Sequence, residues 1–261
     1  MNLVDKNYGD YMPESMMLVK YLSHAGYCSR RQAVELIKLG KVKVNGHVVT
    51  EPWHSINNKN KVQVGKTQIF QAPKEYILLN KPAGYITTMA DDQGRNSVAS
   101  LIHTASPFRL YPVGRLDKET RGLLLFTNDG ELANKLSHPS FEVGKVYLAT
   151  LHEPAEFEHL QALAKGIRLK DGFIKADAIS YMPGKGKNYV RVHIHSGKNR
   201  IVRRMFERFG YEVISLDRIR YAGLTQKGLQ PGSWRRLNKK EMSKLLQSAD
   251  TAPTDKKTKG T

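Results

Sequence analysis

A single cysteine, Cys28, in a chain of 261 residues excludes an internal disulfide framework and a cysteine-based zinc site. Acid is also scarce: 24 Asp and Glu stand against 42 Lys and Arg, a formal net charge of +18. That balance suits phosphate-rich partners, nucleic acid first and an anionic membrane second. No apolar run reaches the length of a spanning helix, and MNLVDKNYGDYMPES lacks the charged and apolar regions of a signal peptide. A soluble, cytoplasmic protein that meets nucleic acid is therefore expected. What the chain does have is 40% hydrophobic residues, ample for a core in one large domain or two smaller ones. Low complexity is confined to the end, where SADTAPTDKKTKGT is polar, basic and aperiodic, so 246–261 reads as a disordered basic tail.

Residues 1–14 read as an extension and 15–70 as a small helical unit closed by a hairpin. Leu18, Val19, Leu22 and Ala25 recur at helical spacing before Gly26, and SRRQAVELIKLG supplies a second helix. Ser29 and Gln32 fit a capping box at its start, and Gly40 suits its end. In KVKVNGHVV, Val42 and Val44 alternate with Lys41 and Lys43 before Asn45-Gly46, a pair suited to a two-residue hairpin turn. Arg30 and Arg31 occupy the first helical turn, where the macrodipole disfavours a cation by about 0.3–1 kcal/mol. A phosphate cradled there would compensate; two solvated arginines are the plainer alternative. His47, Trp53 and His54 near the hairpin are candidates to stack on bases; the favoured reading is that Trp53 closes the small core with the histidines on the surface, and that QAPKE, 71–75, acts as a linker.

The larger region, 76–245, opens with EYILLNKPAGYITT, which reads as a strand, a turn at Pro82 to Gly84 and a second strand. GRLDKETRGLLLFTNDG then places one acid, Asp117, between Arg115 and Arg121 on a loop bracketed by Gly114 and Gly122. Guanidinium neighbours favour the ionised carboxyl, a poor proton donor but a workable nucleophile or general base. A salt bridge bracing the loop is the alternative. DGELANKLSH reads as a helix with Asn128 or Asp129 as its cap, and KVYLATL as a strand carrying Tyr147. YVRVHIH alternates as a half-buried strand, and SGKN, with Lys198, turns into the helix RIVRRMFERFG. On that helix Ile201, Val202, Met205, Phe206 and Phe209 form the apolar face, leaving Arg200, Arg203, Arg204 and Arg208 for solvent or for RNA. EVISLDRIRYAGL reads as a final strand, and Trp234 as the anchor of the C-terminal segment.

The run LVKYLSHAGYCSRRQAVELIKLGKVKVNGHVV resembles the RNA-binding module of the ribosomal-protein-S-four type, in which the SRR arginines and the hairpin contact RNA. GRLDKETRGLLLFTNDGELANKLSHP resembles the signature of the ribosomal small-subunit pseudouridine synthase family, which also includes large-subunit enzymes. LLNKPAGYITT, GKVYLATL, GKNRIVRRMFERFGYEV, LDRIRYAGL and PGSWRRL follow in the family's order, so the likeness spans roughly 15 to 240. It implies an α+β chain: a helical-hairpin RNA-binding domain, then a larger domain whose mixed, mostly antiparallel sheet is flanked by helices with the cleft across its middle. It further implies that Asp117 is catalytic, that Tyr147 stacks on the target base and that Arg203 pairs with the aspartate. Arg30, Arg31, Lys41, Lys43, Arg115, Lys198, Arg200 and Arg204 become RNA contacts. The substrate is then a uridine of ribosomal RNA, 23S favoured over 16S, free or in a pre-ribosomal particle, turned over by a monomer without cofactor or metal. The chain departs from the family pattern at Ile201, where Gln or Glu is common. Two other readings stand beside this one: a non-catalytic ribosome-assembly factor, and a glycoside hydrolase using Asp117 and Glu119, whose carboxylates would need about 5–9.5 Å of separation.

Overall fold

A computed structural model describes residues 15–250; the expectations for 1–14 and 251–261 lie outside them. The described residues form two compact units. One holds 15–75 with Ser106–Tyr111 and Thr127–Gly130, the other Tyr76–Ala105, Pro112–Phe126 and 131–250. The chain thus returns twice to its first unit, which one contiguous boundary does not capture.

The first unit contains β1 (Met16–Met17), α1 (Leu18–His24), α2 (Arg30–Lys38), β2 (Val42–Val44), β3 (His47–Val48), β4 (Ser55–Ile56), β5 (Val62–Val64) and β6 (Thr67–Ile69). Its sheet runs β3-β2-β5-β6, antiparallel throughout, and β1 pairs with β4. Leu18, Leu22, Ala33, Ile37, Val42 and Val62 are fully enclosed, joining the apolar stripes of both helices to the inward face of the sheet. The capping box forms: Ser29 Oγ accepts from Gln32 N at 3.2 Å, and Gln32 Oε1 accepts from Ser29 N at 3.0 Å. Asn45 and Gly46 take φ of 52° and 85°, the left-handed pair of a tight hairpin turn. Trp53 corrects the reading of the sequence, being 64% exposed. Aliphatic side chains and Tyr21, whose hydroxyl donates to Ile69 O at 3.0 Å, fill the core instead. The segment 71–75 is pinned: Asn128 accepts from Glu75 N and donates to Pro73 O, both at 2.8 Å, and Lys74 pairs with Asp129 at 2.9 Å.

The remaining elements are β7 (Tyr76–Lys81), α3 (Val98–Ile102), β8 (Tyr111–Pro112), β9 (Thr120–Thr127), α4 (Gly130–Ser137), β10 (Lys145–Leu151), α5 (Phe157–Lys165), β11 (Ile167–Leu169), β12 (Gly172–Ile174), β13 (Ala178–Tyr181), β14 (Tyr189–Ile194), α6 (Ile201–Glu207), β15 (Val213–Tyr221), β16 (Leu224–Thr225), β17 (Trp234–Arg236) and α7 (Lys239–Asp250). The central sheet is ordered β13-β14-β10-β15-β9-β7-β17. It is antiparallel from β13 to β15, and β15 runs parallel to β9. Strand β9 is buried on both faces, as its unbroken apolar run requires. Gly122 makes the parallel contact possible: with φ of 108°, it lies so close to β15 that a Cβ would come within 2.5 Å of Arg218 O.

Three further expectations are corrected. No second strand follows Gly84; Ile86 makes only an isolated bridge to Ser97, because neighbouring polar groups are committed to the Asp117 loop. Residues 246–250, read as tail, continue α7, since Leu245 and Ala249 are buried against the core. Arg203 is buried rather than on a polar face, its guanidinium drawn inward by the carbonyl of Val213.

Candidate active site

Asp117 is half-buried in the loop entering β9, and the loop is held on both sides of it. Thr87 Oγ1 donates to Leu116 O at 2.7 Å and accepts from Leu116 N at 3.2 Å. Gly84 N and Lys81 Nζ both donate to Lys118 O, at 2.9 and 3.1 Å. Thr120 N closes the turn on Asp117 O at 3.1 Å. The carboxylate is thus presented from a fixed backbone, the pre-organisation that proximity effects demand.

Lys81 was not among the residues singled out from sequence. It is fully enclosed, and its ammonium donates to Pro82 O as well as Lys118 O. Burial pulls its pKa down to about 8, while the carboxylates of Glu119 and Asp117 act in the opposite direction. Its one signal in the sequence is a lysine ending the buried run YILLNK. Lys145 is a second such group: its Nζ donates to Val143 O at 2.9 Å and His195 O at 2.7 Å, joining the chain before β10 to the chain after β14. Burial also lowers it to about 8, helped by the charge of Arg218 and opposed by Asp177.

Asp117, Arg115, Lys145, Tyr147, Lys198 and Arg200 share one cleft of about 410 Å³ across the sheet. Tyr147 projects from β10, 9% exposed, its ring available as an apolar wall. Arg203 does not line this cleft. Desolvation lowers its pKa and Arg200 adds to that, while the charge of Asp117 opposes both; among the described residues the two form no direct ion pair, and Arg203 Nε has no partner. Arg200, whose expected role is RNA contact, is exposed at the start of α6 with φ of 48°. Arg204 is engaged in a bidentate ion pair with Asp171, and Lys198 Nζ donates to Asp171 O at 2.7 Å. In the first unit, Arg30, Arg31, Lys41 and Lys43 are exposed. Among the described residues no group of three or more His, Cys, Asp or Glu could hold a metal ion, and no helix is long and apolar enough to cross a membrane.

A carboxylate on a clamped loop, a tyrosine ring and several basic side chains thus line one cleft of the sheet-bearing unit. The sequence model described as RNA pseudouridylate synthase matches residues 75–208, and that of the S4 domain matches 16–54. The chain belongs to the RNA pseudouridylate synthase family. It is 45% identical over 236 residues to a ribosomal large subunit pseudouridine synthase B of Bacillus subtilis, covering 89% of this chain and 96% of that one. A protein of the same description from Buchnera aphidicola is 38% identical over 240 residues, covering 88% and 97%. A crystal structure of a pseudouridylate synthase superposes with a TM-score of 0.60 at 26% identity, covering 88% of this chain and 99% of that one. The chain is an isomerase acting on RNA, with an RNA-binding S4 domain before its catalytic region.

Proposed function

We propose that this protein converts a uridine of large-subunit ribosomal RNA to pseudouridine in the cytoplasm, with Asp117 as the catalytic carboxylate. The observation that carries this reading is the clamped Asp117 loop opening on a cleft shared with Tyr147. The choice of RNA rests on the likeness to the proteins of Bacillus subtilis and Buchnera aphidicola described as ribosomal large subunit pseudouridine synthase B.

The reaction breaks the bond from ribose C1′ to N1 and forms one from C1′ to C5. A proton leaves C5 and N1 gains one, so atoms and oxidation state balance within the nucleotide. The carboxylate attacks the anomeric carbon, attacks the base, or removes a ribose proton; each route needs an ionised acid at a fixed distance. Tyr147 offers a face on which the extruded base stacks. Arg203, buried and within electrostatic reach of Asp117, supports the carboxylate. Arg30, Arg31, Lys41 and Lys43 on the first unit, with Arg115 and Arg200 at the cleft, hold phosphates, while Lys198 and Arg204 exchange Asp171 for the backbone.

The test uses 23S and 16S transcripts labelled with tritium at C5 of uridine. Wild type in chelator releases label to water and yields an equal amount of pseudouridine on digestion, mapped to one large-subunit position. Asp117→Asn binds the RNA and releases none. Near-normal pseudouridine formation by that variant removes Asp117 from the chemistry. Binding without isomerisation by the wild-type chain, on naked RNA and on ribosomal particles alike, replaces the enzyme with an assembly factor.

A further inference from the structure

The floor of the Asp117 cleft carries two buried polar groups that nothing described so far uses. Among the described residues, Thr120 Oγ1 and Arg218 Nη2 are buried with no hydrogen-bond partner. The residues are 2% and 3% exposed, and both line the cleft. Leaving such a group unpaired is costly, more so for a charged one, so an orphan of this kind calls for a ligand.

Register places them together. On β9 and β15, Leu216 lies opposite Thr120 and Arg218 opposite Gly122, so Thr120 and Arg218 are diagonal neighbours on one face of the sheet. On the other side of β15, Arg218 lies opposite Tyr147 of β10. A register shift follows immediately in that pairing, after which Lys145 is opposite Tyr221. The bulge sets Tyr221 on the same side as Arg218, as bulges beside active sites do. The guanidinium is held at two points: Nε donates to Leu123 O at 2.8 Å, and Cζ sits 4.5 Å from the centroid of the Tyr221 ring. Arg218 is therefore anchored in place, on the strand position opposite Tyr147.

Uracil bears two carbonyl oxygens, O2 and O4; cytosine replaces O4 by an amino donor. We propose that Arg218, with Thr120, reads the target base: Arg218 donates from Nη2 to a carbonyl oxygen of uracil stacked on Tyr147, and the Thr120 hydroxyl pairs with the adjoining polar edge. Where that oxygen is O4, cytosine turned the same way sets donor against donor and leaves the guanidinium unpaired, a penalty that hydrogen-bonding sites use to reject near-isosteres. The position of Tyr147 opposite Arg218 favours a base carbonyl over a backbone phosphate as the acceptor.

This inference rests on the cleft being the pseudouridine-forming site. Its test uses a short RNA around the mapped uridine, made with uridine, 2-thiouridine or 4-thiouridine at that position; sulfur is the weaker acceptor. For wild type, kcat/KM falls about tenfold with one thio-substituted RNA, the loss of one hydrogen bond to a charged donor. In Arg218→Met the oxygen and sulfur RNAs are turned over equally, both at the reduced rate. Thr120→Val, nearly isosteric, keeps the fold and loses part of kcat without weakening RNA binding, so a misfolded Arg218 variant does not leave the idea untested. Thermal melting and salt-dependent RNA binding confirm folding of each variant. Equal turnover of all three RNAs by wild type together with wild-type kcat in Thr120→Val overturns the inference, as does undiminished thio-sensitivity in folded Arg218→Met. Absence of pseudouridine from every RNA with wild type strikes the proposed function instead.

Discussion

A carboxylate is useful to the extent that it is held, and Asp117 is held by side chains whose types conceal the role. Thr87 bonds both backbone groups of Leu116; Thr87→Val keeps the shape and removes both bonds. Single-turnover isomerisation should fall about tenfold, a misplacement effect, with RNA affinity unchanged; an unchanged rate would show that the loop holds itself. Lys81 gives a pH signature. With a folded pKa of about 8 against the ordinary lysine value of 10.5, the unfolded chain binds more protons between these limits. Its contribution to stability is therefore full above the upper limit and lost as pH falls through about 8. Tyr221, pushed up to about 12 by burial, acts oppositely, favouring the fold less as pH rises above 10. Urea denaturation of wild type and Lys81→Met at pH 7 and 9.5 should show the stability difference between them growing in favour of wild type at the higher pH. The loop position of Asp117 before β9 and the place of Tyr147 on β10 were legible because their motifs carry them. Lys81 was not, because a lysine is ordinarily read as surface, and Arg203 was misplaced because helical periodicity counts every arginine as polar.

Among the elements, the parallel contact of β9 with β15 depends on the missing side chain at Gly122. In Gly122→Ala the Cβ meets backbone rather than a flexible tip, and φ of 108° is strained for alanine as well. A loss of about 3 kcal/mol, read from urea denaturation, is expected, together with loss of activity; a wild-type midpoint would contradict the tightness of this pairing. Helix α2 has an N-terminus occupied by Arg30 and Arg31 with no acid in its first turn. If both meet phosphate, replacing them by Ala should flatten the slope of log affinity against log salt by up to about 0.7–0.9 per lost contact, leaving turnover at saturating RNA intact. An identical slope would make them ordinary surface arginines. The capping box and Asn-Gly turn of the first unit were readable because local chemistry dictates them. The strand expected after Gly84 failed because its polar groups bond a loop some thirty residues onward, a non-local choice that no window of sequence contains.

For the whole molecule, charge and connectivity count most. A net charge of +18 means that RNA binding should weaken steeply between about 50 and 200 mM salt, by orders of magnitude if six or more phosphates are engaged; a filter-binding titration checks this, and a flat profile would discount the basic surface. Composition conveyed that much, and the order of motifs conveyed the sheet-bearing catalytic region. The return of Ser106–Tyr111 and Thr127–Gly130 to the first unit was hidden, because Asn128 binds the chain at 73 and 75 through contacts of long sequence separation.

That return sets an order of events when the chain is made. Domains emerge from synthesis N-terminus first, and α1, α2 and their hairpin are available as soon as residue 70 has been added. The segment 71–75 has no Asn128 to grip until the chain has passed Gly130, so the first unit waits, unfinished, while part of the second is produced. The cleft waits longer, since Arg218 and Tyr221 lie on a strand that must come back to pair in parallel with β9. A nascent chain thus acquires its exposed arginines and lysines well before it acquires the setting of its acid.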